Sequence, residues 1–236
     1  MNLVAKEVKL TNIDSVVDFC LEYESTCINL VNYLLEKKEE LSTKNNGSLQ
    51  YSYVYYLNDE VIGASCKNSH GFFVYCLPTP KEQIYSLIAK LYDFSNIFAL
   101  MGERDVQNSL LYHLKTKHSI TPKWVIPYFL MRNMPSLQGN KHEVHFCETG
   151  NKELTIRKAT LKDATKLLPL QIAYEQEEVL KEGETVNKKI ALMNLEKMLH
   201  HQTVYLAEIC DNAVAKANTN VKGVKCQQIG GVYTSP

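Results

Sequence analysis

Two adjacent glycines inside a strand-like run, Gly230-Gly231, stand out as residues whose placement calls for a physical reason. The run Gln228-Ile229-Gly230-Gly231-Val232-Tyr233-Thr234 alternates small or polar residues with β-branched and aromatic ones, the period of a half-buried strand. Paired glycines weaken a strand unless something comes close to its backbone. The stretch is therefore expected either to bulge or pack tightly, or to meet an approaching group through its main chain. Ser235-Pro236 marks the strand's exit, because proline lacks the N–H a ladder needs. The element that such a strand would feed is expected beyond Pro236.

Other residues invite metal chemistry, and their spacing argues against it. His200-His201 close a helical pattern, and consecutive helical residues point about 100° apart. A favourable interaction with the helix C-terminus explains the pair better than a shared ion. His142 and His145 lie near Cys147, with no fourth ligand close in sequence. Seven cysteines (Cys20, Cys27, Cys66, Cys76, Cys147, Cys210 and Cys226) are odd in number, scattered and without a CxxC pair. A disulfide framework or structural zinc site would show tighter, even spacing. Free thiols and no metal are expected, in a reducing compartment.

Twenty-six basic residues balance 26 acidic ones. Nucleic acid and anionic membrane surfaces call for a clustered positive field, so neither is an expected partner. No apolar run approaches the roughly 20 residues of a membrane span. The N-terminus mixes early charges of both signs, unlike a secretory signal. The expected location is cytoplasmic.

The elements that must position any chemistry read as mixed α/β. Apolar residues at three- and four-residue steps predict one or two helices over 12–41. Tyr51 to Leu57 and Val61 to Ala64 flank the turn Asn58-Asp59 as a hairpin, and Phe72 to Cys76 adds a strand. Thr79-Pro80-Lys81-Glu82 predicts a helix start with proline at the first position. A strand over 96–102 and a helix over 105–114 follow, and Pro127 demotes the strand-like 124–131 to an edge or bulge. A linker is expected over 136–151, between a first domain at 1–135 and a second at 152–236. The second opens with the strand Leu154 to Ala159 and the capping signature Thr160-Leu161-Lys162-Asp163. Its first helix runs on to Gly183, and a second spans 187–202. A hairpin, 204–209 with 213–219, turns at Cys210-Asp211-Asn212, and the last strand runs to Thr234.

The order strand, two helices, three strands resembles the first half of a GCN5-related N-acetyltransferase (GNAT) domain. The resemblance is carried by Leu154-Thr155-Ile156-Arg157-Lys158-Ala159 with Lys162-Asp163-Ala164, by the hairpin Val204 to Ala217, and by Gln228 to Pro236. It covers about 154–236, and the ordered set rather than any one motif carries it. The first domain resembles the same fold more faintly, so the chain looks like tandem acetyltransferase-like units with the second incomplete. The family's basic, glycine-rich turn, which holds a pyrophosphate at a helix N-terminus, would follow Pro236. Without it, the resemblance implies a chain whose activity is in doubt.

The resemblance implies acetyl transfer from acetyl-CoA to a small-molecule or peptide amine. Gly231, Val232, Tyr233 and Thr234 would then meet the pantetheine arm and thioester through their backbone. Glu208 in the hairpin and Glu175 on the first helix are the candidate bases, and Tyr174 and Tyr205 would shape the acceptor pocket. A solvated surface charge and core packing are the plain alternatives for these carboxylates and tyrosines. The rival reading is a non-catalytic binding or regulatory protein using its N-terminal domain. Its last strand would be an exposed edge for assembly, including pairing with a second copy.

Overall fold

The computed structural model describes residues 2–43, 47–78, 81–126, 154–180 and 183–236. The chain divides into two compact units, one of residues 1–130 with 223–226, the other of 131–222 with 227–236. The expected linker over 136–151, and with it His142, His145 and Cys147, lies outside the described residues.

The first unit runs β1 (Leu3–Lys9), α1 (Ile13–Glu22), α2 (Glu24–Thr43), β2 (Ser48–Leu57), β3 (Glu60–Lys67), β4 (Phe72–Cys76), α3 (Glu82–Leu91), β5 (Ala99–Met101) and α4 (Arg104–His118). Its sheet has the order β1-β2-β3-β4-β5. The first three pairings are antiparallel, and β4 with β5 is parallel. The amphipathic faces of α1 and α2 bury Val16, Val17, Leu30, Val31 and Leu34 with Val54, Ala64 and Val74 of the sheet. The faces of α3 and α4 bury Ile84, Ile88, Val106, Leu110 and Leu114 with Tyr55, Phe73 and Tyr75. Tyr55 and Tyr92 are joined through the Ser65 hydroxyl, at 2.5 and 2.8 Å, so the phenol groups are satisfied where they are buried.

The second unit runs β6 (Leu154–Lys158), α5 (Ala164–Tyr174), α6 (Lys188–His201), β7 (Val204–Ile209), β8 (Asn212–Lys222) and β9 (Gln227–Thr234). Its antiparallel sheet has the order β6-β7-β8-β9. Leu167 and Leu170 of α5 and Leu195 of α6 pack on Val204, Leu206 and Tyr233. Asp163 closes a capping box on the 3-10 turn Leu161–Asp163 that leads into α5, accepting from the Thr160 amide at 2.8 Å and hydroxyl at 3.0 Å.

The two units repeat one plan: a strand, two helices, then three strands forming an antiparallel sheet in sequence order. The hairpins match in detail. Asn58-Asp59 and Cys210-Asp211 both carry positive φ at each turn residue, the geometry of a type I′ turn, which asparagine and aspartate tolerate. Both ladders then slip at the same distance from the turn, between Tyr55 and Tyr56 in one and between Ala207 and Glu208 in the other. The repeat breaks at the next strand. The β3–β4 ladder is regular from Ala64↔Cys76 to Lys67↔Phe73, whereas β9 is bulged.

Several sequence expectations move. Strand β1 was not foreseen, because its alternating charges mask its period. Helix α3 begins at Glu82 with Lys81 as its N-cap residue, rather than after Thr79, and Thr79 and Pro80 lie outside the described residues. Helix α4 extends to His118, past the expected end at 114. Residues 124–126 form no strand, and 127–131 lie outside the described residues. Helix α5 ends at Tyr174 and continues as a π-helical turn, Glu175–Val179, instead of running regularly to Gly183. No helix among the described residues is long and apolar enough to cross a membrane.

Candidate active site around Lys216

The β8–β9 ladder departs from regular pairing twice. Lys216 opposes Tyr233 and Asn218 opposes Gly230, so two residues, Gly231 and Val232, face the single Ala217. This is a β-bulge on β9, and Gly231 adopts φ +54° within it, the left-handed conformation that favours glycine. A side chain at Gly231 would run into the Asn218 carboxamide and the Lys216 ammonium. Gly230 meets Asn220 in the same way. Close approach by the chain's own side chains thus explains the glycine pair. The strand lies at the end of its sheet, with no strand on its other side among the described residues.

The bulge is filled from behind by a buried lysine. Lys216 is only 2% exposed. Its Nζ donates to the Gly231 carbonyl at 2.9 Å and to Asn218 Oδ1 at 3.3 Å. It also lies 4.8 Å from the centre of the Tyr174 ring, a cation–π contact strengthened where water is excluded. Burial pushes the Lys216 amine down to about 8, opposed by the negative charge of Glu175. The amine is therefore close to half-charged in mildly alkaline water, unlike an ordinary surface lysine.

Glu175 opens the π-helical turn directly after Tyr174, a feature frequent at functional sites. It accepts from Gln171 Nε2 at 2.8 Å. The other end of that carboxamide, Gln171 Oε1, is buried with no hydrogen-bond partner among the described residues. Such an orphan acceptor costs about 1–3 kcal/mol unless a donor reaches it. Tyr233, on the helix-covered face with Lys216, donates its hydroxyl to Glu177 at 2.7 Å.

No family model matches the chain, and no curated protein does. Solved structures do. A possible acetyltransferase from Clostridium difficile 630 aligns over 35% of this chain and 57% of its own, with 16% identity and a TM-score of 0.31. A predicted acetyltransferase with acetyl-CoA from Clostridium acetobutylicum aligns over 36% and 61%, with 18% identity and a TM-score of 0.29. The acetyltransferase of GNAT family from Streptococcus pneumoniae aligns over 35% and 55%, with 19% identity and a TM-score of 0.26. The structural neighbours are acetyltransferases. This chain spans rather more than half the length of each.

Four of the residues singled out from the sequence gather at the bulge: Tyr174, Glu175, Gly231 and Tyr233. Val232 and Thr234 belong to the same strand but point to its exposed face. Glu208 and Tyr205 do not join the group around Lys216. Both oxygens of Glu208 are held in ion pairs, one by Arg157 Nε at 2.6 Å and one by Lys166 Nζ at 2.5 Å. Those cations hold its carboxyl below the usual range. Arg157 also forks onto Asp163, at 2.7 and 3.0 Å, so Glu208 belongs to a network that ties β6, β7 and the start of α5. Tyr205 is half exposed on the sheet face opposite Leu206 and Lys216.

Sequence reasoning missed Lys216, Gln171 and Asn218. The signal for Lys216 was present in the strand period. Lys216 sits opposite Leu206, on the phase that also holds the inward Val204, and a lysine on an inward phase must find partners.

Proposed function

We propose that the second unit serves an acyl-CoA-dependent N-acyltransferase that moves an acetyl group from acetyl-CoA to an amine. The observation that carries the reading is the Gly231-Val232 bulge on an edge strand, backed by the buried Lys216 and by the unsatisfied Gln171 carbonyl. A strand bulged at this point turns main-chain groups away from its ladder, toward a thioester oxygen or the amides of a pantetheine arm. The residues present fit such a ligand: Gly231 and Val232 offer backbone, and Gln171 Oε1 offers an acceptor for an N–H.

In the proposed reaction the acceptor nitrogen attacks the thioester carbon and the C–S bond breaks. Glu175, beside Tyr174 at the start of the π-helical turn, would take the proton the amine loses. Lys216, with an amine close in acidity to a free thiol, is suited to return a proton to the leaving sulfur. Tyr174 orders Lys216 and screens it from water. The acceptor would be a small-molecule or peptide amine.

Calorimetric titration of the full chain with acetyl-CoA tests the reading. Heat with micromolar affinity, reduced in a Gly231→Val variant that still folds, is expected. No heat at millimolar acetyl-CoA would overturn it and favour a non-catalytic role for the exposed β9 edge.

A further inference from the structure

The first unit holds a second cluster that the acyl-transfer reading leaves unused. The sulfurs of Cys20, Cys27 and Cys76 all lie within 4.8 Å of one another, and all three residues are buried. They come from three segments: the last turns of α1, a break in α2, and the final residue of β4. At Cys27 the backbone leaves the helical range, with φ −135° and ψ 28°, and the helix restarts beyond it. Cys27 thus stands where the helix restarts, its thiol donating to the Cys20 and Tyr23 carbonyls at 3.4 and 3.2 Å.

The internal repeat gives the position its meaning. Counted from the hairpin turns Asn58-Asp59 and Cys210-Asp211, Ala64 corresponds to Lys216. Cys76 opposes Ala64 across β3–β4 as Tyr233 opposes Lys216 across β8–β9. The spot where the second unit keeps a buried amine is, in the first, lined by thiols.

We propose that Cys20, Cys27 and Cys76 form a three-coordinate sulfur site for copper(I). Three sulfurs each about 2.3 Å from a central metal stand about 4.0 Å from one another in a trigonal plane, so only a small contraction of the cluster is needed. No carboxylate, imidazole or fourth thiol completes the set among the described residues. Zinc asks for four ligands, whereas an all-sulfur, water-excluded set favours a soft monovalent ion. Val16, Leu30, Val31 and Val74 share the apolar core with the cluster. On binding, each sulfur that ligates as thiolate releases its proton to solvent, and neither copper nor sulfur changes oxidation state.

The test titrates the reduced full chain anaerobically with copper(I) against a competing copper(I) chelator. One equivalent bound, with a sulfur-to-copper charge-transfer band and three sulfur neighbours by X-ray absorption, is expected. The triple variant Cys147→Ser/Cys210→Ser/Cys226→Ser should bind as wild type. Cys20→Ala and Cys76→Ala should each weaken binding by at least a hundredfold while keeping the wild-type circular dichroism. Failure of the wild type to take copper from the competitor overturns the proposal. So does uptake undiminished in the Cys20 and Cys76 variants, or loss of uptake in the triple variant. Should the core variants fail to fold, the wild-type sulfur count decides: oxygen or nitrogen neighbours, or two sulfurs, overturn it. Acetyl-CoA binding is read separately, so the two proposals stand or fall independently.

Discussion

The Nζ of Lys216 sits 2.9 Å from the carbonyl oxygen of Gly231, a buried amine holding the left-handed residue of a bulge. Burial holds the folded-state value near 8, below the ordinary 10.5. The folded protein therefore binds fewer protons than the unfolded chain between those limits, and stability rises with pH across that window. Replacing Lys216 with Met removes the cost of burying the charge, at most about 3 kcal/mol near neutrality. Lys216→Met is expected to slow hydrogen exchange of β8 amides at pH 7. That advantage should shrink steadily as pH rises from 8 to 10.

Activity should follow the same amine with the opposite sign. A lysine acting as general acid must be protonated, so acetyl transfer is expected to fall as pH rises through about 8. Lys216→Met should abolish that alkaline limb, and Glu175→Gln should lower turnover by about a hundredfold. The measurement is a pH–rate profile with labelled acetyl-CoA and a panel of primary amines. An alkaline limb unchanged in Lys216→Met would remove the acid role.

Much of this architecture was legible in the residues, and the failures have physical causes. The hairpins were readable because Asn58-Asp59 and Cys210-Asp211 put turn formers between β-branched and aromatic runs. The Thr160–Asp163 cap was readable because both partners lie in one helical turn. Strand β1 was not, since Lys6, Glu7 and Lys9 make it look like a charged tail. Glu208 looked like a base, but its inward phase with Val204 and Leu206 already required a partner, which Arg157 supplies from another strand. Lys216, Tyr174 and Gly231 meet only through strand register and helix packing, which local spacing does not encode. The clustering of Cys20, Cys27 and Cys76 was not legible from spacing because three separate segments deliver them.

The Arg157–Asp163–Glu208–Lys166 network predicts acid sensitivity in the second unit. Arg157, then the Thr160 amide and hydroxyl, hold the Asp163 carboxyl well below its ordinary range. Its stabilising effect is complete above the unfolded carboxylate value near 4 and is lost as pH falls toward the lower folded value. Asp163→Asn is expected to lower stability by about 1–3 kcal/mol at pH 7 and to flatten the loss between about pH 4 and 2. Circular dichroism melts across that range would reveal it. A parallel shift at every pH would show that the charge is not what matters.

In the first unit, Ser65 bridges two buried phenols. Ser65→Ala leaves the Tyr55 hydroxyl without that partner, at an expected cost of about 1–3 kcal/mol. Tyr92 keeps the Ser65 and Tyr51 carbonyls, at 3.1 and 3.2 Å. The double change Ser65→Ala/Tyr55→Phe should recover part of the loss. Urea unfolding followed by the single tryptophan, Trp124, would measure it, and equal losses in both variants would refute the bridge.

The ladder between β8 and β9 carries an extra residue on each side: Gly231-Val232 face Ala217, while Asn220 stands unmatched between the pairs Thr219↔Ile229 and Val221↔Gln228. The two offsets cancel, so pairing beyond both resumes in its original frame. A strand keyed in this way cannot slide by two residues without losing both notches at once. The terminal hairpin is therefore locked like a toothed rack, and it can lose its alignment only by coming apart.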